Sequence, residues 1–260
     1  MQALLIAATG MMAQELNVEV ISNNIANMRT TGFKRQRAEF QDLLYQNIRR
    51  PGSTTSDSGT VSPSGIQIGS GVKTGATYRV MSQGTVLQTE KELDVAIRGE
   101  GFFKIDLPDG RSAYTRDGSF EIDPNGTLVT IDGYTVQPGI TIPQNARSIT
   151  IDGSGQVQAL LDNATTPQQL GQLQLARFVN QSGLESIGDN LYVETGASGT
   201  EQVGVPGAAG YGNLLQQHLE QANVNAVSEI SDLIAAQRAY EMNARVIRAA
   251  DEMMSATSNI

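Results

Sequence analysis

The sequence predicts an α+β fold, with long N- and C-terminal helices packed as a coiled coil and a β-rich middle domain of short strands and hairpins. Three observations predict it. Residues 1–28 are almost wholly apolar or amide, with Glu15 and Glu19 as the only charges. Residues 214–254 have apolar side chains at helical spacing, and the segment between is rich in Gly, Thr and Asp. Because chain ends are usually polar and poorly ordered, apolar ends indicate helices that bind each other and other chains.

The first helix is predicted to run to about Met28, because its apolar side chains recur at steps of three and four residues. These side chains are Leu5, Ala8, Met12, Leu16 and Val20. Gly10 costs about 1 kcal/mol relative to Ala inside a helix, so we expect a close backbone approach there. Gly32 can take the left-handed conformation that ends a helix.

The end of this helix reads Ser-Asn-Asn-Ile-Ala-Asn from Ser22 to Asn27. Asn is a poor helix former, which favours a frayed helix end with Asn caps. Buried Asn amides that hydrogen-bond between chains and fix their register would give the same pattern. The residues leave both interpretations open.

The segment after the first helix is predicted to connect the ends to the middle domain. Residues 33–45 favour a short helix or an extended arm, and residues 51–71, rich in Ser, Thr and Gly, a loop or flexible insert. Long loops of this kind are usually functional. Basic residues cluster here in stretches that are interpreted as solvated loops: Lys34, Arg35 and Arg37, then Arg49 and Arg50.

The middle of the chain reads as strands and turns. The strand candidates are residues 86–89, 94–97 and 102–105. Pro108-Asp109-Gly110 predicts a hairpin turn. Residues 122–128 and 151–157 share a pattern of Ile-Asp, two turn residues, Gly, one residue and an aliphatic residue. Each copy predicts a strand, a tight turn and a strand.

The second helix is predicted from about Leu214 to Met254, with a heptad seam. The seam residues are Ile230, Leu233, Gln237, Tyr240, Ala244, Ile247, Asp251 and Met254. The predicted domains are residues 1–32 with 213–260 as a helical core, 33–71 as a connecting region, and 72–212 as a β-rich outer domain.

The composition disfavours several classes of function. A formal charge of -9 argues against nucleic-acid binding, and the absence of Cys excludes disulfides and thiol nucleophiles. His218 is the single His, which rules out a pair of His zinc ligands, and it is interpreted as a helix-surface residue. The candidate carboxylates are Asp106, Asp109, Asp117, Asp123 and Asp132, and all but Asp106 stand beside Gly or Pro, as in turns. We therefore expect no enzyme activity and no catalytic, cofactor or metal site.

The apolar run of residues 3–8 is similar to part of a signal peptide. No Lys or Arg precedes it, although a secretion signal needs a basic leading region. The run is also shorter than the roughly 20 residues of a membrane span. We expect the segment to be retained and to pack against protein, without membrane insertion.

Short motifs stand in order along the whole chain. The N-terminal motifs are Ser22 to Asn27 and Thr30 to Arg35. The middle motifs are residues 101–103, Tyr114 to Gly118 with Phe120, and residues 128–134. The C-terminal motifs are residues 219–224 and residues 237–241. Together they resemble the motifs of the bacterial flagellar axial proteins, the family of the rod and the hook, with Ala222 where the family pattern has Ser. Residues 45–52 and 64–72 are similar to an insert of the distal-rod branch that most hook proteins lack.

The resemblance implies a non-enzymatic subunit that forms an open helical homopolymer, a straight tubular drive shaft that transmits torque and encloses an export channel. It implies contacts with proximal rod proteins, the hook protein, the surrounding basal-body rings and the flagellar export apparatus. The implied location is the flagellar basal body across the periplasm, reached by the flagellar type III route without signal cleavage.

Three sets of residues are the candidates for this assembly. The N-terminal set is Leu5, Met12, Leu16, Asn23, Asn24 and Asn27. The C-terminal set is Ile230, Leu233, Gln237, Tyr240, Ile247 and Met254. The insert set, expected to stiffen the rod, is Ile48, Arg49, Arg50, Pro51, Ile66 and Ile68. Two alternatives stay open: a hook or proximal rod subunit, and a secreted β-protein that binds or hydrolyses the cell wall.

Overall fold

The computed structural model describes residues 2–52, 63–162 and 166–258. It has the predicted α+β class, with a helix near each end of the chain and a β-rich middle region. The described residues divide into two compact units. Unit 1 lies within Met1–Ile25, Gln36–Tyr78 and Asn225–Ile260, and unit 2 lies within Ala26–Arg35 and Arg79–Val224.

The elements are numbered in chain order. The helices are α1 (Gln2–Ala26) and α2 (Ala226–Ser258). The strands that follow α1 are β1 (Gln36–Asp42), β2 (Tyr45–Arg49), β3 (Ile66–Gly69) and β4 (Val72–Arg79). The strands of unit 2 are β5 (Val86–Gln88), β6 (Val95–Arg98), β7 (Phe102–Asp106), β8 (Ser112–Thr115), β9 (Phe120–Ile122), β10 (Leu128–Thr130), β11 (Thr135–Val136), β12 (Ala146–Ile151), β13 (Gln156–Leu161), β14 (Gln168–Gln172), β15 (Leu175–Arg177), β16 (Glu185–Gly188), β17 (Leu191–Val193), β18 (Gln202–Gly204), β19 (Asn213–Gln216) and β20 (His218–Glu220).

The predicted start of the second helix at Leu214 is wrong, because α2 begins at Ala226. The residues before it form β19 and β20, which pair with β6 and β5. Their apolar side chains matched a helical spacing but are used in strand pairing. Asn225 supplies the true N-cap, since its Oδ1 accepts hydrogen bonds from the N–H groups of Val227 at 3.0 Å and Ser228 at 3.3 Å.

Helix α1 packs along α2 in an antiparallel direction. A Cβ atom placed on Gly10 would lie 2.8 Å from Asn243 Nδ2, and Asn24 Nδ2 donates to Glu229 Oε2 at 3.1 Å. A later residue of α1 therefore meets an earlier residue of α2. The nearest atoms to this position all belong to the Asn243 side chain, so the close backbone approach expected at Gly10 is not found, and a side chain of α2 fills the space instead.

By length and composition α1 could cross a membrane, since it has 25 residues and a mean hydropathy of 1.3 in its most apolar window. The length argument from residues 3–8 therefore does not hold for the whole helix. A helix that packs among protein chains passes the same test.

The strands of unit 1 form a hairpin arm, β1–β4. β1 pairs with β4 and β2 pairs with β3, and between the two pairs the Leu43 N–H donates to the Gly71 carbonyl at 2.9 Å. Residues 33–45 are thus mainly extended. The predicted loop over residues 51–71 is wrong for Ile66–Gly69, which pairs with β2. Residues 53–62 of that prediction lie outside the described residues.

The arm also contacts α1 at several levels. Thr9 Oγ1 accepts a hydrogen bond from the Val72 N–H at 3.3 Å, and Gln2 Nε2 donates to Gln46 Oε1 at 2.5 Å. Near the end of α1, Asn24 bonds to the main chain of Gln36. Within unit 1 the first helix therefore packs against both the arm and α2.

Unit 2 is built on antiparallel strands. The path of its largest sheet is β16-β17-β8-β7-β11-β10-β9, with β15 paired to β7 and β18. One apolar cluster includes Phe103, Ile105 and Leu128, all nearly inaccessible to solvent. A second is aromatic, with Phe102, Tyr114, Phe178 and Tyr192 in edge-to-face contact. The strand candidates at residues 86–89, 94–97 and 102–105 are confirmed as β5, β6 and β7.

The two copies of the internal pattern are hairpins, as predicted. Ile122 pairs with Leu128, and Ile151 with Val157. In the second copy, Asp152 Oδ1 accepts hydrogen bonds from the N–H groups of Ser154 and Gln156, and Asp123 does the same in the first copy. The Pro108-Asp109-Gly110 turn between β7 and β8 is confirmed too.

Two turn glycines give a matched test of these hairpins. Gly126 has a φ of +89° and Gly110 a φ of +82°, so Ala should cost about 1–2 kcal/mol at either position. A Cβ on Gly126 would also collide with the Ile142 carbonyl oxygen, whereas one on Gly110 would meet nothing within 4 Å. We expect Gly126→Ala to lower the free energy of unfolding clearly more than Gly110→Ala, as measured by urea unfolding with near-UV circular dichroism. Equal losses would contradict the packing of this turn.

Candidate assembly site

The predicted N-terminal assembly residues fall on different faces of α1. Leu5 and Met12 are 58% and 69% exposed, and Leu16 is half-buried. Asn23 is exposed, Asn27 is half-buried, and Asn24 is 2% exposed. The exposed pair, seven residues apart, is available to other chains. Asn24 is occupied inside this chain.

The buried side of α2 only partly coincides with the predicted seam. Leu233 and Ile247 are half-buried, whereas Ile230, Gln237, Tyr240 and Met254 are exposed. The most buried residues of the described part of α2 are Glu229, Ala236 and Ala250, and Asn243 at the same seven-residue spacing is half-buried and meets Gly10. These positions come one residue before Ile230, Gln237, Ala244 and Asp251. The buried side of α2 in this part of the chain is therefore lined by two alanines and two polar side chains.

The Asn-rich end of α1 has a defined bonding pattern within the chain. Asn24 Oδ1 accepts a hydrogen bond from the Gln36 N–H at 2.8 Å, and its Nδ2 donates to the Gln36 carbonyl at 2.9 Å and to Glu229. Asn27 Oδ1 accepts from Thr30 Oγ1 at 3.1 Å. For Asn24, neither a frayed end nor a bond to another chain describes this geometry.

The predicted insert residues lie at the outer end of the hairpin arm. Ile48 is 67% exposed, and Ile66 and Arg49 are exposed on the paired strands β2 and β3. Ile68 is half-buried. Arg50 and Pro51 follow β2 and are exposed. Apolar side chains on both strands thus face solvent in the single chain.

Unit 2 contains a buried charge cluster, formed by Lys34, Arg116 and Glu220, that sequence reasoning missed. Lys34 Nζ lies 2.6 Å from Glu220 Oε1, and Arg116 Nη1 lies 3.3 Å from Glu220 Oε2. Each of the three residues is at most 2% exposed. The interpretation of Lys34 as part of a solvated loop is therefore wrong. Its ammonium is removed from water because Glu220, 186 positions along the chain, supplies the opposite charge.

Main-chain groups complete the shell of this cluster. Lys34 Nζ donates to the Ser82 carbonyl at 2.9 Å, Arg116 Nη2 donates to the Gly99 carbonyl at 2.7 Å, and Glu220 Oε1 accepts from the Gly84 N–H at 2.8 Å. Burial lowers the pKa of Lys34 and of Arg116, and the attraction of Glu220 opposes that shift in both. Because both cations pair with the same carboxylate, the charge balance of the whole cluster depends on Glu220.

A neighbouring amide, that of Asn223, ties three stretches of unit 2 together. Asn223 Oδ1 accepts a hydrogen bond from the Arg35 N–H at 2.7 Å. Its Nδ2 donates to the Val80 carbonyl at 2.7 Å and to the Ser82 carbonyl at 3.0 Å. Asn223 therefore holds the end of the segment before β1, the start of the segment after β4 and the segment before α2.

His218 lies on strand β20, so its interpretation as a helix-surface residue is wrong. Its ring Nδ1 lies 2.7 Å from the Gln216 carbonyl oxygen. Asp117, in one of the family-like motifs, accepts hydrogen bonds from the main-chain N–H and the hydroxyl of Ser119, and burial raises the pKa of its carboxyl. The described residues contain no group of three or more His, Cys, Asp or Glu side chains placed to hold a metal ion.

Comparisons with known proteins give the chain its family. Residues 4–34 match a model described as flagella basal body rod protein, residues 96–159 match the flagellar hook protein FlgE/F/G D1 domain, and residues 215–260 match the flagellar basal body rod FlgEFG protein C-terminal region. The chain is 60% identical to the flagellar basal-body rod protein FlgG of Caulobacter vibrioides over 100% of its own length and 99% of that protein. The chain belongs to the flagellar basal-body rod protein family.

Other members of the rod protein family are similar over nearly the whole chain. The FlgG protein of Agrobacterium fabrum is 53% identical over 99% of this chain and 98% of its own, and that of Bacillus subtilis is 38% identical over 97% and 96%. The resemblance found in the motifs is thereby confirmed. The chain has the function of a structural subunit of the flagellar rod.

The three regions that match the rod family models meet in the buried charge cluster. Lys34 belongs to the first matched region, Arg116 to the second and Glu220 to the third. The motifs were found in the sequence one by one, but their charged members are partners in space. One Lys, one Arg and one Glu in three separate motifs, none of them explained by its local sequence, could have indicated that the three side chains are partners.

Removal of the Glu220 carboxylate should strongly lower the free energy of unfolding. Glu220→Ala would leave the buried Lys34 and Arg116 without their counter-ion, at a cost of about 3–5 kcal/mol. Its control is Glu121→Ala at the exposed pair with Lys91, which should cost at most about 1 kcal/mol. The measurement is urea unfolding followed by near-UV circular dichroism of the tyrosines. Similar losses for both variants would show that the buried cluster does not support the fold.

Proposed function

We propose that this chain polymerises as a distal rod subunit into a straight, tubular drive shaft that transmits torque from the motor to the hook and encloses the export channel. The observation that carries the proposal is the division of faces on α2. In its described part, the buried apolar side chains are those of Ala236 and Ala250. Eight larger apolar or aromatic residues of the same part are exposed: Val227, Ile230, Ile234, Tyr240, Met242, Val246, Met253 and Met254.

Exposed apolar residues on both helices need partners beyond their own chain. Burying one side chain of this size is worth about 1.5–3 kcal/mol, and Leu5 and Met12 present the same kind of surface on α1. In this proposal α1 and α2 form an antiparallel coiled coil, and the coiled coils of many copies pack into the inner tube. The contact between copies is heterologous and does not close, which produces an open helical filament.

We extend the same proposal to the β-rich unit, the partners and the location of the subunit. The outer domain is the β-rich unit 2, and the partners are further copies of this chain, proximal rod proteins, the hook protein, the basal-body rings and the export apparatus. The rod spans the periplasm within the basal body, and its subunits are exported to it by the flagellar type III route without signal cleavage. It is not an enzyme, and family membership favours this structural function over a cell-wall-binding or hydrolysing protein.

Assembly can be tested with neighbouring substitutions on α2. Ile230→Asp places a charge in the apolar surface proposed to meet another copy, whereas Ser231→Asp places it at an exposed polar position. A loss of at least 1.4 kcal/mol corresponds to about tenfold in the concentration needed to assemble. We expect Ile230→Asp to raise the critical concentration for sedimentable filaments at least about tenfold, and Ser231→Asp to leave it within about twofold. Absence of filaments from the parent protein, or equal assembly of both variants, would refute the proposal.

The distal position can be tested by removing the outer end of the hairpin arm. Deletion of residues 47–69 removes β3 and most of β2 with the exposed Ile48 and Ile66. If these residues stiffen the rod, electron microscopy should show filaments that remain tubular but become curved. A hook or proximal rod subunit would keep its curvature unchanged after the same deletion, and that result would favour those alternatives.

A further inference from the structure

We propose that the buried Asn24–Glu229 pair selects the register in which α1 packs on α2, and so pairs each helix with its partner from the same chain. The proposal concerns unit 1 of a single chain. It goes beyond the rod function, because register within one subunit can be measured without any filament.

The first step is the anchoring of Asn24 by its own chain. Its Oδ1 and Nδ2 bond to the N–H and the carbonyl of Gln36, only 12 positions further on. Reversal of the amide would place its donor against an N–H group and its acceptor against a carbonyl. Gln36 therefore fixes the orientation of the amide and leaves the second Nδ2 proton aimed at Glu229, 3.1 Å away.

The second step is the weak discrimination by shape among the small residues around Gly10. Gly10 and Ala13 of α1 are small, and so are Ala236 and Ala250 of α2 on the buried face. These α2 alanines lie seven positions on either side of Asn243. A slip by one heptad would place Ala236 or Ala250 opposite Gly10 in place of Asn243, and the shapes of these small residues alone do not prevent it.

The third step is the cost of a slip at the polar pair. A shift of seven residues moves Glu229 out of reach of Asn24, whose side chain stays bound to Gln36. Buried polar groups that lose a partner destabilise a structure more than the hydrogen bond itself stabilises it. The pair thus penalises every register but one. An open polymer requires this uniformity, because each copy must present the same surface to the next.

The experiment uses disulfides as a measure of register in the full chain, which contains no Cys. Gly10→Cys with Asn243→Cys reports the native register, since a Cβ on Gly10 would lie 3.2 Å from Asn243 Cγ. Gly10→Cys with Ala236→Cys, and Gly10→Cys with Ala250→Cys, report slips of one heptad in the two directions. In the parent protein we expect the native disulfide within single chains and at least about tenfold less of either slipped one.

The variants separate register from simple stability. Glu229→Leu should raise the ratio of slipped to native disulfides at least about tenfold and produce disulfide-linked dimers. Glu229→Gln keeps a side-chain oxygen that can accept from Asn24 Nδ2 and should restore the parental ratio. Glu252→Leu makes the same change at an exposed position of α2 and should leave the ratio unchanged.

Four results would overturn the proposal. They are failure of the parent to form the native disulfide, an unchanged ratio in Glu229→Leu, an equal rise in Glu252→Leu, and loss of all disulfides in Glu229→Leu together with its helical circular dichroism. The last result would mean that the pair supports folding without choosing a register.

Discussion

The carboxylate of Glu220 is the constraint on which the organisation of unit 2 depends. It is buried with Lys34 and Arg116, and each of those cations also donates to a main-chain carbonyl. A buried ion pair stabilises a fold only when its geometry and its additional hydrogen bonds offset the loss of hydration. The stretches of chain that supply these groups must therefore arrive together. This requirement accounts for the coincidence of three family-matched regions at one point.

In unit 1 the contact between the helices depends mainly on small and uncharged side chains, unlike the buried ion pairs of unit 2. The buried apolar residues in the described part of α2 are Ala236 and Ala250, and small residues bury little apolar surface. The larger apolar side chains of α2 are exposed or half-buried, whereas α1 buries Val20, Ile21 and the polar Asn24. A helix pair of this kind gains modest stability from its own contact. The exposed apolar side chains of both helices are the surface that the proposed assembly would bury.

Sequence patterns predicted the local features of the fold well. The turns at Asp109, Asp123 and Asp152 were predictable because Asp and Gly define them within four or five residues. The start of α2 was not, because Leu214 and Leu219 fit a helical spacing as well as a strand that needs a distant partner. The class of the fold followed from the contrast between the apolar ends and the turn-rich middle.

The contact between the two helices of one chain was predictable in part, and the errors have a common cause; the residues that meet other copies stay a prediction. The heptad pattern favoured large apolar residues such as Ile230, whereas the contact within the chain uses Glu229 and Ala236, one residue away or on the neighbouring turn. Lys34 was assigned to solvent because its partner is 186 positions distant. Sequence periodicity shows that a helix has an apolar face but does not distinguish its own partner from a neighbouring molecule. Leu5 and Met12 could therefore be recognised as part of an apolar face, but not assigned to a partner.

The discontinuity of unit 1 sets an order of folding. Unit 2 is largely one continuous stretch, Arg79–Val224, but α1 and α2 are separated by the whole of it. Protein chains emerge from their N-terminus, so α1 is present long before α2 exists to cover it. Until the last residues arrive, Glu229 is absent and Asn24 has only the hairpin arm as a partner. The pairing of α1 with α2 therefore has the long sequence separation of a contact that forms late in folding, and it is the arrival of α2 that completes unit 1.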